Sequence, residues 1–175
     1  MARKIEVMDY NPEWENMFKT EAEVIKNILG KNCIVVHHIG STSVKGLRAK
    51  PIIDIMPVVK DITLVNAHNA DFEALGYECK GEFGIRGRRF FMKGSDNRTH
   101  HIHIFEESNK EDIQRHIAVR DYLRRHPSDA TEYAILKVKL AAKFIYDNVG
   151  YCNGKDAFMK ELEQKAIEWK KQRTL

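Results

Sequence analysis

The chain has 175 residues, of which 43% are hydrophobic and 31% are charged, and only 14 are glycine or proline (10 + 4). This composition excludes a disordered, collagen-like or low-complexity protein, and the net charge of +4 excludes the heavily basic load of a nucleic-acid coat protein. We expect one folded domain over residues 1–175, with a helical C-terminal part from about residue 109 to 175.

The cysteines and the apolar runs bear on where the protein resides. Cys33, Cys79 and Cys152 are odd in number and form no Cys-x-x-Cys pair, which is typical of a reduced, intracellular protein. The first ten residues mix charged and short apolar side chains, and no run approaches the ~20 apolar residues of a membrane span. These features predict a cytoplasmic protein without a signal peptide or a membrane segment.

Hydrophobic periodicity and turn residues predict the elements of the first half. An Asn-Pro pair opens a helix whose apolar stripe ends at a glycine, and a β-branched run follows it. A loop rich in Ser, Thr and Gly separates this strand from a second apolar strand, after which Asp61 caps another helix. The predicted order is helix 11–30, strand 33–39, loop 40–50, strand 51–59 and helix 61–76.

The second half is predicted to contain a hairpin followed by helices. Turn formers at 94–97 separate two strand-like runs, 88–93 and 99–105, which should pair as antiparallel strands. Helical patterns then occupy 111–126, 128–147 and 154–172. The predicted fold class is α/β to α+β, with one mixed β-sheet flanked by helices and further helices at the C-terminal end.

The segment from His38 to Ser43 ends a predicted strand directly in Gly-Ser-Thr-Ser. Gly40 has no Cβ to block an approaching phosphate, and such a strand end exposes backbone N–H groups and hydroxyls. Asp54 lies in the middle of the next apolar strand, where a carboxylate must be paired or bind a cation. Two interpretations stay open: an anion site with a bound cation, or a common loop beside an aspartate that pairs with Lys50 or a hairpin arginine.

Two histidines alternate with isoleucines on the last predicted strand. Because side chains alternate between the faces of a strand, His101 and His103 project side by side. This spacing suits a metal site, and imidazoles together with a carboxylate favour Zn, Mn, Fe or Ni. Paired histidines on a strand also serve as hydrogen-bonded scaffolding, and both interpretations remain open.

The facing strand of the hairpin carries Arg88 and Arg89, which alternation sends to opposite faces, so at most one reaches the histidines. A guanidinium matches phosphate oxygens with two donors, which predicts a phosphate clamp, and the alternative is a solvated hairpin. Lys50, which precedes the Asp54 strand, is a candidate phosphate contact. Lys137 is interpreted as part of a solvated helix face.

Five segments together resemble the signature of the GrpB family. They are His38-Ile39-Gly40-Ser41-Thr42-Ser43-Val44, Gly46-Leu47, Ala49-Lys50-Pro51-Ile52-Ile53-Asp54-Ile55, Arg89-Phe90-Phe91 and His101-Ile102-His103. The resemblance extends over nearly the whole chain. It implies the nucleotidyltransferase-like fold, the superfamily that includes kanamycin nucleotidyltransferase and the catalytic domains of polymerase β-like enzymes.

The resemblance also implies roles for single residues. In that superfamily a Gly-Ser loop holds the nucleotide phosphates, two carboxylates spaced Asp-x-Asp hold divalent metals, and a third acid assists the acceptor hydroxyl. Asp54 matches the first carboxylate, Met56 stands at the second, and His103 stands where the third acid is expected. The predicted nucleotide contacts are Gly40, Ser41, Thr42, Lys50, Arg88 and Arg89. The predicted metal ligands are Asp54, His101 and His103, of which Asp54 and His103 are the predicted catalytic residues.

The function implied is transfer of a nucleotidyl group from a nucleoside triphosphate to a hydroxyl acceptor, with Mg, Mn or, given the histidines, Zn as the divalent metal. One alternative is a catalytically silent module that binds a nucleotide or another phosphorylated small molecule. A second alternative is an RNA-binding domain that uses Arg86 with the hairpin arginines, stacks bases on Phe90 and Phe91, and matches the GxxG of a KH loop at 84–87.

Overall fold

The structure is a computed structural model that describes residues 2–174, and the end residues of the predicted domain, Met1 and Leu175, lie outside the described residues. The strands are β1 (Cys33–Ile39), β2 (Ile53–Val59), β3 (Tyr77–Cys79), β4 (Arg88–Lys93) and β5 (His100–Glu106). The α-helices are α1 (Glu13–Leu29), α2 (Asn69–Ala74), α3 (Lys110–Arg125), α4 (Pro127–Lys143) and α5 (Asn148–Arg173). Short 3₁₀ helices lie at Gly30–Asn32, Ser41–Ser43 and Ile62–His68.

The strands form one mixed sheet in the order β1-β2-β5-β4-β3. β2 and β5 run parallel, whereas the other neighbouring pairs are antiparallel. The predicted hairpin and the predicted mixed sheet with flanking helices are therefore confirmed. The parallel pairing sets Asp54 beside His101, and the hairpin sets Phe90 beside His103. The candidate residues thus lie on the central strands, where the register fixes their relative positions.

One face of the sheet carries the main apolar core. Because side chains alternate along a strand, Ile53 and Ile55 of β2 share this face with Ile102 and Ile104 of β5. The side chains that cover it come from α1 and α2, among them Trp14, Ile25, Leu29 and Phe72. Burial of each large apolar side chain contributes roughly 1.5–3 kcal/mol, so this face fixes the sheet against the two helices.

The opposite face is divided between a second core and the polar residues. Met56 and Val58 of β2 pack with Phe105 of β5 against Ile113 of α3. Asp54 lies two residues before Met56 and therefore projects from the same face, beyond the edge of this apolar cluster. The helix α3 thus covers one half of the face and leaves the half around Asp54 as the wall of a cleft.

The C-terminal helices close the other side of that cleft. Val44 and Leu47, from the loop after β1, pack with Tyr122 of α3, Tyr133 of α4 and Leu162 of α5. This apolar cluster holds the loop against the three helices. As a result α4 and α5 present side chains toward the residues that follow β1. Within residues 2–174, no helix is long and apolar enough to cross a membrane.

The predicted secondary structure differs from the observed elements at several places. The segment predicted as one helix at 61–76 is capped by Asp61 but consists of the 3₁₀ helix Ile62–His68 and the short α2. The strand β3 was missed because three residues carry too little pattern. The helix α5 begins at Asn148 instead of residue 154, because the Asp147 carboxylate accepts a hydrogen bond from the Gly150 N–H and so caps the helix.

Candidate functional site

Gly40 lies directly against the carboxylate of Asp54. β1 pairs Ile39 with Asp54, and Gly40 then leaves the strand at φ +71° and ψ −174°, a conformation that is open essentially to glycine alone. A Cβ placed on Gly40 would lie 2.7 Å from Asp54 Oδ2. The glycine therefore serves two needs at once, since both the turn and the close approach to the carboxylate exclude a side chain.

Asp54, His101 and His103 form a compact group that we call the Asp54 cluster. His103 Nε2 lies 3.0 Å from Asp54 Oδ1, and His101 Nδ1 lies 3.5 Å from the same oxygen. The ligating atoms of the three side chains all lie within 4.8 Å of one another. The predicted metal ligands are thus brought together, and the two strands that carry them are neighbours in the sheet.

Arg88 supports the Asp54 cluster, whereas Arg89 does not reach it. Arg88 is buried, and its Nη1 lies 3.4 Å from His103 Nδ1. A guanidinium can only donate, so Nδ1 of His103 accepts and the imidazole proton lies on Nε2, facing Asp54. Two further donors of Arg88 bond the carbonyl oxygens of Glu82 and Phe83. Arg89 lies on the other face and donates to Asn66 Oδ1 at 2.8 Å.

The protonation of the Asp54 cluster follows from these contacts. Burial alone would raise the pKa of Asp54, but hydrogen bonds from His101 and His103, and the positive charge that these imidazoles carry when protonated, outweigh it and hold the pKa well below the usual range. Burial lowers the pKa of His103, although Asp54 partly opposes this effect. Asp54 is therefore a carboxylate at neutral pH, and His103 is a neutral imidazole.

The donor set of the Asp54 cluster fits one divalent cation. One anionic oxygen and two imidazoles resemble the sets that bind Mn, Fe, Ni or Zn. Nε2 of His101 is buried without a hydrogen-bond partner among the described residues, which is the state of a nitrogen that a bound ion would satisfy. An imidazole ligand stays neutral and keeps one N–H, so His103 could ligate through Nε2 only after its proton moves to Nδ1. Until then it donates to the Asp54 carboxylate and orients it.

Met56 does not extend this donor set. Its side chain is fully buried and packs with Val58 and Phe105 under α3. A thioether in that position offers no oxygen to Mg, and the site holds one carboxylate where a two-cation site needs two.

Lys137 is the residue that the sequence interpretation missed. It is 2% exposed, and its ammonium donates to Ser41 Oγ at 3.0 Å and to the carbonyl oxygen of Arg48. The prediction of a solvated position was therefore wrong. A signal was present, because Lys137 lies four residues after Tyr133 and three before Leu140, both on the buried stripe of α4.

Two more lysines lie near Lys137. The ammonium groups of Lys50 and Lys155 lie 4.8 and 5.0 Å from the ring centre of Tyr151. Burial, followed by the charges of Lys155 and Lys50, lowers the pKa of Lys137 to about 7. Lys50, Lys137 and Lys155, which we call the lysine cluster, line a cleft of about 570 Å³ together with Gly40, Ser41, Asp54 and His101. This volume is typical of a small-molecule site.

Other predicted contacts take structural roles. Thr42 lies at the cleft, but it is buried and its hydroxyl is 3.0 Å from His38 Nε2. Phe90 and Phe91 are buried and cannot stack an RNA base, so this part of the RNA-binding alternative is wrong. The GxxG segment at 84–87 leads into β4 and not into the second helix of a KH domain. The exposed aromatic ring here is that of Phe83, stacked on Phe90.

Comparison with known proteins identifies relatives along nearly the whole chain. The sequence profile of the GrpB protein family matches residues 4–165. The UPF0157 protein YqkA of Bacillus subtilis is 46% identical over 171 residues, which are 98% of this chain and 50% of that protein. The chain therefore spans half the length of this curated relative.

Solved structures extend the comparison to the fold. The crystal structure of the conserved protein GrpB from Enterococcus faecalis has a TM-score of 0.91 and 46% identity, and the match covers 93% of this chain and 98% of that one. A cytoplasmic RNA terminal U-transferase has a TM-score of 0.51 and 18% identity, covering 81% of this chain and 41% of that one. At this identity the second likeness shows the fold alone, which is the nucleotidyltransferase-like fold expected from the sequence.

Proposed function

The chain belongs to the GrpB family, and we propose that it transfers a nucleotidyl group from a nucleoside triphosphate to a hydroxyl acceptor with one divalent cation. The observation that carries the proposal is the contact between Gly40 and Asp54. It joins the end of β1, where we expect phosphate to bind, to a carboxylate flanked by two imidazoles, inside a cleft of about 570 Å³. We also propose a cytoplasmic location, supported by three cysteines that form no disulfide.

The chain's own groups would bind and orient the nucleotide. The backbone at Gly40 and Ser41 can approach phosphate oxygens because no Cβ intervenes at Gly40. Lys50 lines the same cleft and supplies a positive charge to the phosphates. Asp54 and His101 would hold Mg or Mn, with Zn as a further candidate, and His103 would join them once its proton has moved to Nδ1. When bound, this cation supplies neutralisation of phosphate charge.

The transfer itself requires one proton to move. The acceptor oxygen attacks the α-phosphorus, the bond from that phosphorus to the bridging oxygen breaks, and pyrophosphate leaves with the electron pair of that bond. The proton of the acceptor hydroxyl goes to solvent water, because both nitrogens of His103 are engaged, Nε2 at Asp54 and Nδ1 at Arg88. His103 would keep the Asp54 carboxylate oriented during the transfer. Arg88 would position His103 through the contact to Nδ1.

The test is nucleotidyl transfer from triphosphates labelled at the α-phosphate, with Mn or Mg and a panel of hydroxyl acceptors that includes RNA. We expect labelled product and equimolar pyrophosphate with the wild type and neither with Asp54→Asn. Asp96→Asn is the matched control, because Asp96 is an exposed carboxylate at the same cleft and has no contact with the histidines. Equal activity of wild type and Asp54→Asn would contradict the proposal.

A second candidate function is nucleotide binding without transfer, and the position of Met56 favours it. The side chain at the second carboxylate position is apolar and lies in the core under α3, so the Asp54 cluster offers a single carboxylate where a two-cation site needs two. This candidate predicts that the labelled triphosphate binds with a cation and is recovered unchanged. Release of pyrophosphate by the wild type would rule it out.

A further inference from the structure

The lysine cluster is an uncompensated positive site. Within residues 2–174, the structure records no ion pair for Lys50, Lys137 or Lys155. By contrast, most of the lysines that do form ion pairs lie on the surface, as Lys160 does with Asp156. Three ammonium groups that share a cleft repel one another, and a protein retains such an arrangement where an anion binds.

The neutral groups of the same cleft are arranged as hydrogen-bonding partners for an anion. The Ser41 hydroxyl already contacts the ammonium of Lys137. Tyr151 is fully buried at the edge of the cleft, and its hydroxyl has no hydrogen-bond partner among the described residues. Because burial raises its pKa further, the phenol keeps its proton and can donate to an oxygen. A buried, unpartnered donor beside three cations calls for an acceptor with several oxygens.

We propose that the lysine cluster binds a diphosphate group, and that it does so without a divalent cation. Near neutral pH a terminal phosphate carries about −1.5 to −2 charges and the phosphate linked to it at least about −1, so a diphosphate matches three ammonium groups in charge. At the terminal phosphates, the lysine ammonium groups would then supply the positive charge that a second cation supplies in two-cation sites. That second cation would have no carboxylate here, because Met56 occupies the position. The diphosphate is either free pyrophosphate or the terminal two phosphates of a nucleotide, and the second source rests on the proposed function.

The experiment is calorimetric titration of the wild type with inorganic pyrophosphate in EDTA, with ATP and orthophosphate as further ligands. We expect pyrophosphate to bind at least tenfold more tightly than orthophosphate. Lys155→Met and Lys50→Met should each weaken pyrophosphate binding at least tenfold. Lys139→Met is the matched control, because it removes the same charge from an exposed position on α4 and should leave binding unchanged. Asp54→Asn should bind pyrophosphate in EDTA as the wild type does.

The outcomes separate the two proposals. Absence of pyrophosphate binding in EDTA, or equal weakening by Lys139→Met, would overturn the lysine-cluster proposal and leave the nucleotidyl-transfer proposal standing. Pyrophosphate binding that depends on Lys155 but no response to any triphosphate with Mn would support the lysine cluster as a site for free diphosphate and contradict nucleotidyl transfer. Binding of ATP and pyrophosphate in EDTA with the same lysine dependence would identify the terminal phosphates of a nucleotide as the ligand.

Discussion

The charged side chains on the two sides of the cleft differ in whether they have partners of opposite charge. On the sheet side, Asp54 accepts hydrogen bonds from two imidazoles, and Arg88 donates to one of these in turn. On the helix side, Lys137 is buried near two other lysines, and among the described residues its ammonium donates to neutral oxygens and lies over the Tyr133 ring. The sheet side is therefore internally balanced, and the helix side lacks a counter-ion. This difference indicates that the missing negative charge arrives with a ligand.

The largest effect should follow from removing the negative charge of Asp54. Asp54→Asn keeps the shape of the side chain but removes the anionic ligand, and we expect nucleotidyl transfer to fall about 1,000-fold or more, beyond the roughly 10- to 100-fold typical of outer partners of a metal site. The measurement is the rate of labelled product formation at saturating Mn. A loss smaller than tenfold would remove Asp54 from the centre of the site.

The helix side of the cleft, with its buried Lys137, should affect how the stability of the protein depends on pH. Lys137 has a folded-state pKa of about 7, lowered by burial and by Lys155 and Lys50, whereas an unfolded lysine titrates near 10.4. Between these values the unfolded chain binds more protons, so stability rises with pH. We expect the wild type to gain a few kcal/mol relative to Lys137→Met between pH 7 and 10, since each tenfold change in proton affinity is worth about 1.4 kcal/mol.

The measurement for Lys137 is denaturant unfolding of both proteins across that pH range. Surface groups titrate in both and cancel in the difference. The same comparison of the wild type with Lys139→Met is the control and should show no trend with pH, because Lys139 is exposed. If the difference in unfolding free energy between the wild type and Lys137→Met did not change with pH, the Lys137 ammonium would be solvated or paired with an anion. The contrast between the two sides of the cleft would then be lost.

Gly40→Ala should disrupt the close packing of the loop after β1 on the carboxylate of Asp54. Its backbone conformation costs a residue with a side chain about 1–3 kcal/mol, and the new Cβ would meet Asp54 Oδ2 at 2.7 Å. We expect lower stability and weaker Mn binding together. Gly46→Ala is the control, because Gly46 also has a positive φ, +84°, but nothing lies within 4 Å of its added Cβ. Equal Mn affinities in the two variants would contradict this role of Gly40.

The smallest of these effects concerns the two neighbouring arginines. Arg88→Met removes the donor that orients His103, and we expect Mn affinity to fall roughly tenfold. Arg89→Met should leave Mn affinity unchanged, since Arg89 contacts Asn66 on the opposite face. Titration of Mn by calorimetry distinguishes the two. Equal losses would indicate a general effect of positive charge instead of a contact to His103.

The sheet side of the cleft was predictable and the helix side was not. Alternation along two strands is enough to place Asp54, His101 and His103 on one face, and the parallel pairing of β2 with β5 then brings them into contact. Lys137 depends on where α4 packs, which helical periodicity does not specify. Its place on the stripe of Tyr133 and Leu140 indicates burial, but the contact to Ser41 joins residues 96 positions apart.

The boundaries of α5 illustrate the same limit. Gly150 and Gly154 are typical of helix ends, and the sequence interpretation therefore began the last helix at residue 154. In the structure a Cβ on Gly154 would lie 2.5 Å from Leu140 Cδ2, so this glycine permits α5 to pack closely on α4. The start of α5 is set locally by the Asp147 cap, whereas its continuation through Gly154 and the position of Lys155 depend on long-range packing, which no local pattern encodes.

The central claim is that the Gly40 loop and the Asp54 cluster form one nucleotide site that binds a nucleotide more tightly when a cation is present. The most direct test is a thermal-shift screen of the four nucleoside triphosphates, each with MnCl₂ and with EDTA, on the wild type and Asp54→Asn. A ligand at ~100 times its dissociation constant adds about 2.7 kcal/mol, or several degrees for a chain of this length. We predict an extra shift with MnCl₂ for at least one triphosphate in the wild type and none in Asp54→Asn. No manganese-dependent shift in the wild type, or the same shift in both proteins, would contradict the account.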